Sequence, residues 1–144
     1  MNRRSTPEAD AQRAIVQALR VALPRDAIVH HCANEVTEAG SRGQVRQSIL
    51  VGMGVHAGFA DLIVISGGRV LFLEVKSPSG RLRRSQEVFR DTVCSQGFGW
   101  ALVRSVDDAL GALADHGFTS RVRPARRAAP GATRQPSGPS SNAG

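Results

Sequence analysis

Phe59-Ala60-Asp61-Leu62-Ile63-Val64-Ile65-Ser66-Gly67-Gly68-Arg69-Val70-Leu71-Phe72-Leu73-Glu74-Val75-Lys76 is the stretch whose pairing sets the architecture. Two β-rich runs, 59–65 and 70–76, flank a Gly-Gly pair, the signature of a hairpin closed by two residues. With Gly67 and Gly68 as the turn, Ser66 pairs with Arg69, and Asp61 falls opposite Glu74 in the same register. Directly opposed residues hold their Cβ atoms about 4.5–5.5 Å apart. Glu74 and Lys76 lie two apart on one strand and share its face. Asp61, Glu74 and Lys76 are therefore expected on one side of the sheet. A slip of one residue would send Asp61 to the other face. The apolar runs 62–65 and 71–73 do not select a face by alternation.

Opposed carboxylates repel and weaken a hairpin, unless something offsets their charge. A hard cation, Mg²⁺ or Mn²⁺, takes oxygen ligands from one or two carboxylates and keeps room for water and a phosphate oxygen. It polarises a phosphoryl group and activates water. Lys76 is the only lysine; the other 18 basic residues are arginine. Lysine is a compact point charge and arginine a planar fork, so one lysine beside a carboxylate suits a role in orienting water or neutralising charge on a phosphate. The alternative is an exposed Glu74–Lys76 pair of little consequence.

Around the hairpin, Ser5-Thr6-Pro7-Glu8 opens a helix, either with Thr6 as cap and Pro7 at the first helical position or with Ser5 and Glu8 as a capping box. Ile15, Val16, Leu19 and Leu23 follow at helical spacing until Pro24. Residues 27–32 form a short strand. Residues 34–58 are expected to be a long loop with at most one helical turn. Residues 82–96 form a helix with Val88, Phe89, Thr92 and Val93 inward. Residues 99–104 form a strand, and Ser105 caps a last helix. The order α-β-β-β-α-β-α predicts an α/β domain with a mixed sheet flanked by helices, the strand after the hairpin joining by a parallel crossover.

The chain has 144 residues, enough for one domain. No run is apolar enough to span a membrane, and the polar N-terminus lacks a secretory core. Cys32 and Cys94 lack metal-site spacing and are expected as two reduced core thiols, which points to the cytoplasm. Net charge is +7, and five arginines (121, 123, 126, 127, 134) with no acid lie beyond residue 119. Residues 1–118 are expected as the folded domain and 119–144 as a disordered basic tail suited to phosphates.

Asp61 on one strand with Glu74-Val75-Lys76 on the next resembles the core of the PD-(D/E)XK nuclease superfamily, with its restriction-endonuclease-like fold. Gly58-Phe59-Ala60-Asp61-Leu62-Ile63, Glu74-Val75-Lys76, Gly80-Arg81-Leu82 and Gln86 are similar to the VRR-NUC (virus-type replication-repair nuclease) domain over roughly residues 5–115. Ala60 departs from the proline usual before the aspartate. The resemblance implies a metal-dependent endonuclease acting on branched DNA such as junctions or flaps, of phage or prophage type, working as a homodimer. It implies metal ligation by Asp61, Glu74 and the Val75 carbonyl, a catalytic Lys76, and Gln86 positioning the site. It also implies a further ligand from the first helix, Glu8, which serves equally well as a helix cap. Arg81, Arg83 and Arg84, between the lysine and the glutamine, are expected to contact phosphates. His30 and His31 are expected to be structural, His56 to sit in the loop, and Asn34 and Glu35 to lie on the substrate side. The rival readings are a non-catalytic nucleic-acid-binding module and a nuclease of the same superfamily with another DNA or RNA substrate.

Overall fold

The computed structural model describes residues 6–33 and 41–122. Its elements are α1 (Pro7–Ala22), β1 (Ile28–His31), α2 (Ser41–Gly52), β2 (Leu62–Ser66), β3 (Arg69–Val75), α3 (Arg84–Ser95), β4 (Gly99–Val103) and α4 (Val106–Asp115). The four strands form one sheet in the order β1-β2-β3-β4, antiparallel except for the parallel β3–β4 pair. This is the expected mixed α/β sheet. Gly67 and Gly68 both take positive φ (57° and 73°), as a two-residue hairpin turn of matching twist requires. The β2–β3 pairs run from Ser66↔Arg69 to Leu62↔Leu73 and obey the register read from the turn.

Alternate side chains divide between two faces. Leu62, Val64, Leu71, Leu73, Val75 and Val103 pack against Ile15 and Leu19 of α1 and Ala109 and Leu113 of α4. On the other face, Phe89 and Val93 of α3 close over Ala60, with Phe59, Phe72 and Trp100 around them. Phe59 and Phe89 have ring centroids 4.6 Å apart. Each large apolar side chain removed from water contributes about 1.5–3 kcal/mol, so both faces hold the hairpin. Val88 is 44% exposed and Thr92 is exposed, so α3 turns only its Phe89/Val93 edge inward, narrower than the sequence reading.

Three local expectations change. Residues 41–52 form a three-turn helix where a loop was expected. Gly43 is its only buried residue, so it carries no core-facing stripe, and that stripe is the signal by which sequence reveals a helix. Cys94 is exposed and Cys32 half-buried, so neither is a core thiol; both are free. Arg121, counted with the tail, donates from its backbone N–H to the Ala22 carbonyl and from its guanidinium to the Leu23 carbonyl, each at 2.7 Å. It satisfies carbonyls that the end of α1 would otherwise leave unpaired. Asn34, Glu35 and residues 123–144 lie outside the described residues.

Candidate active site

Asp61 stands one residue before β2, and its side chain shapes the end of the ladder. Its Oδ2 accepts from the Val75 N–H at 2.8 Å, taking a donor that strand pairing would have given to a backbone carbonyl. Its own carbonyl accepts from the Cys32 N–H at 2.8 Å. Glu74, one position beyond the last β2–β3 pair, is 1% exposed. Lys76, just past β3, is also buried, and its backbone N–H continues toward β4 through the Val103 carbonyl at 3.1 Å.

The two oxygens of Glu74 are used differently. Oε1 accepts from Lys76 Nζ at 3.0 Å and from Gln86 Nε2 at 2.5 Å. Oε2 is buried and takes no hydrogen bond. A buried acceptor left open costs about 1–3 kcal/mol, more when charged, so it calls for a partner. Burial, and next the nearby charge of Asp61, push the Glu74 carboxyl up to about 7; the hydrogen bond and charge of Lys76 pull the other way, and Glu8 adds a smaller upward push. Burial, with a lesser effect of Asp61, also raises the Cys32 thiol.

Gln86 serves two elements at once. Its Oε1 accepts from the Arg83 N–H at 2.9 Å, capping its own helix, while its Nε2 reaches Glu74. This reach depends on Gly58, at φ +73°, where a Cβ would stand 2.2 Å from the Ser85 carbonyl oxygen and 2.6 Å from the Gln86 nitrogen. Only glycine lets the segment leading to Asp61 lie so close to the start of α3.

Thr6 is the cap of α1, accepting from the Ala9 N–H at 3.3 Å, with Pro7 next to it. Glu8 lines a cleft with Asp61, His31 and Ser77. Arg81, Arg83 and Arg84 are exposed on the segment between Lys76 and Gln86, Arg84 lying 3.5 Å from Glu87. His56 is held by the Ala57 carbonyl at 2.8 Å and packs edge-on against Phe89, with centroids 5.6 Å apart.

Arg104 carried no sequence signal, and His31 was expected only to be structural. Arg104 extends Nη1 to the carbonyls of Ser77, Pro78 (3.4 Å) and Gly80 (2.8 Å), pinning the loop that leaves Lys76. His31 Nδ1 lies 2.8 Å from Gln12 Nε2 and 3.1 Å from the Asp61 carbonyl, so its tautomer decides whether it accepts from α1 or donates to the residue before β2.

Among the described residues, no group of three or more His, Cys, Asp or Glu side chains is placed to hold a metal ion. A hard cation is held through one or two carboxylates and otherwise by water and substrate. The open Oε2 of Glu74 next to the Asp61 charge fits that ligand pattern.

No protein-family model matches this chain, and no curated protein matches its sequence. Among solved structures, the fold is that of a VRR_NUC domain protein: TM-score 0.60, 17% identity, covering 78% of this chain and 89% of that one.

Proposed function

We propose that the chain is a nuclease that hydrolyses phosphodiester bonds in DNA with the help of Mg²⁺ or Mn²⁺. One observation carries this reading: a buried glutamate with one oxygen held by a lysine and a glutamine and the other open, beside an aspartate that raises its pKa. The fold shared with a VRR_NUC domain protein supports it. Asp61, Glu74 Oε2 and the Val75 carbonyl would hold the cation, with Glu8 able to join from the cleft. The cation would supply positive charge against the phosphodiester oxygens. Lys76, fixed by Glu74, presents its ammonium to the attacking water or to the charge that grows on phosphorus. Gln86 and Arg104 keep that geometry without touching the reacting atoms. Arg81, Arg83 and Arg84 are our choice for nearby phosphate contacts.

The preferred substrate we propose is branched DNA, cut by a homodimer. Val45, Ile49 and Met53 are 60%, 57% and 78% exposed on one side of α2 and the turn after it, an apolar surface that a second copy would cover. Two copies bring two sites to the two strands of a junction.

The test is incubation of the full chain with linear duplex, flap and four-way-junction DNA, with and without Mg²⁺ or Mn²⁺, beside Lys76→Ala. Cation-dependent cleavage that falls about 100-fold or more in the variant is expected. Equal cleavage by both proteins removes the mechanism. Binding without cleavage under every condition favours the rival, a nucleic-acid-binding module.

A further inference from the structure

Beside α1 runs an open cleft of about 910 Å³, bordered by Glu8, Gln12, Arg13, Gln17 and Arg20 of the helix, by His31 at the sheet edge, and by Asp61. Arg13, Gln17 and Arg20 lie on the side of the helix away from the buried stripe of Ile15, Leu19 and Ala22, whereas Glu8 and Gln12 lie in line with that stripe. Packing therefore does not require Arg13, Gln17 and Arg20 to be polar or basic. Charge is sorted along the cleft. The acid, Glu8, stands at the Asp61 end, and the two arginines follow away from it. Where the cleft meets the site, His31 Nδ1 lies 2.8 Å from Gln12 Nε2 and 3.1 Å from the Asp61 carbonyl, and its tautomer selects which of the two it bonds.

We propose that this cleft is the track along which one DNA strand lies, by its phosphate backbone, as it enters or leaves the Asp61–Glu74 site; this rests on the nuclease reading above. Arg13 and Arg20 are separated by about 10.5 Å along the helix axis, far enough apart to meet different phosphates of one strand. Gln12 and Gln17 add neutral donors suited to phosphate and sugar oxygens. Arg13 pairs with Asp10 at 3.0 Å, but both side chains are largely exposed (68% and 62%), so a phosphate competes with that bond on even terms. Among the described residues, no Phe or Trp borders the cleft. The track therefore follows the backbone and does not read bases, which a nuclease selecting shape over sequence requires.

The experiment uses the full chain carrying Lys76→Ala, so that DNA is not consumed. Anisotropy of a fluorescein-labelled single strand is measured over a range of KCl, with Arg13→Ala/Arg20→Ala and, as a control, Arg25→Ala, an exposed arginine outside the cleft. The double variant should flatten the plot of log affinity against log salt by about 1.4, two contacts at about 0.7 each. Arg25→Ala should leave the slope unchanged. Equal slopes for all three proteins overturn the track. Cleavage by the otherwise unaltered chain, assayed alongside, separates the two readings. Cleavage with equal slopes keeps the nuclease and discards the track; a flattened slope with no cleavage under any divalent cation keeps the track and discards the nuclease.

Discussion

Glu74 is the residue at which burial, charge and chemistry meet. Its carboxyl is raised from an ordinary 4.5 to about 7, first by burial and then by Asp61. A group whose folded pKa lies above its unfolded value stabilises the fold fully below the unfolded value, and loses that contribution as pH rises through the folded one. In the absence of divalent cations, melting should therefore occur at higher temperature near pH 5 than near pH 8. The Glu74 share of the difference is on the order of 3 kcal/mol. Glu74→Gln should remove that share and melt higher than the parent at pH 8; an unchanged pH profile would show that the carboxyl titrates normally. The same proton must leave before a cation can bind. Mn²⁺ affinity by calorimetry should then climb about tenfold per pH unit below 7 and level off above it.

At the scale of elements, the site depends on how closely the lead into β2, the start of α3 and the loop after β3 are held. Gly58→Ala places a methyl group against the Ser85 carbonyl, whereas Gly54→Ala, at φ +98°, meets nothing within 4 Å. Both substitutions carry the strain of positive φ, about 1–2 kcal/mol. Gly58→Ala should lower the melting temperature further and also depress cleavage, because the displaced helix withdraws Gln86 from Glu74. Equal losses from the two substitutions would mean that the contact has no consequence. Arg104→Met removes the donors to the 77–80 loop, and a cost of about 2 kcal/mol in urea unfolding is expected. Arg104→Lys should recover only part of it, since one ammonium does not reproduce a fork.

For the whole molecule, the sheet separates a larger aliphatic core under α1 and α4 from a smaller aromatic one under α3, and the site lies at one end of the β2–β3 hairpin. α2 stands apart from both cores, its only buried residue Gly43. Light scattering of the full chain should report twice the chain mass. Ile49→Glu should return it to the single-chain mass without lowering the melting temperature of the protomer. A parent chain that runs as a monomer at all concentrations would remove the homodimer. Among the described residues, no helix is long and apolar enough to cross a membrane.

The hairpin was legible because its register is local arithmetic. Two glycines with positive φ determine which residues oppose, and Asp61 and Glu74 follow from the count. The caps at Thr6 and Ser105 were legible for the same reason, each being settled within one helical turn. α2 was hidden because a helix that buries almost nothing leaves no periodic stripe. The rest depended on chain segments meeting in space. Gln86 reaches Glu74 across 12 residues, and Arg104 reaches the Ser77 loop across 27. Gly58 matters only because α3 lies against it, and the cleft exists only because α1 runs beside the sheet edge. Sequence alone determined the register that brings Asp61 and Glu74 to the same end of the hairpin. Tertiary packing decided which of their oxygens is held, which is left open, and what surface leads to it, because those outcomes depend on contacts that no local pattern encodes.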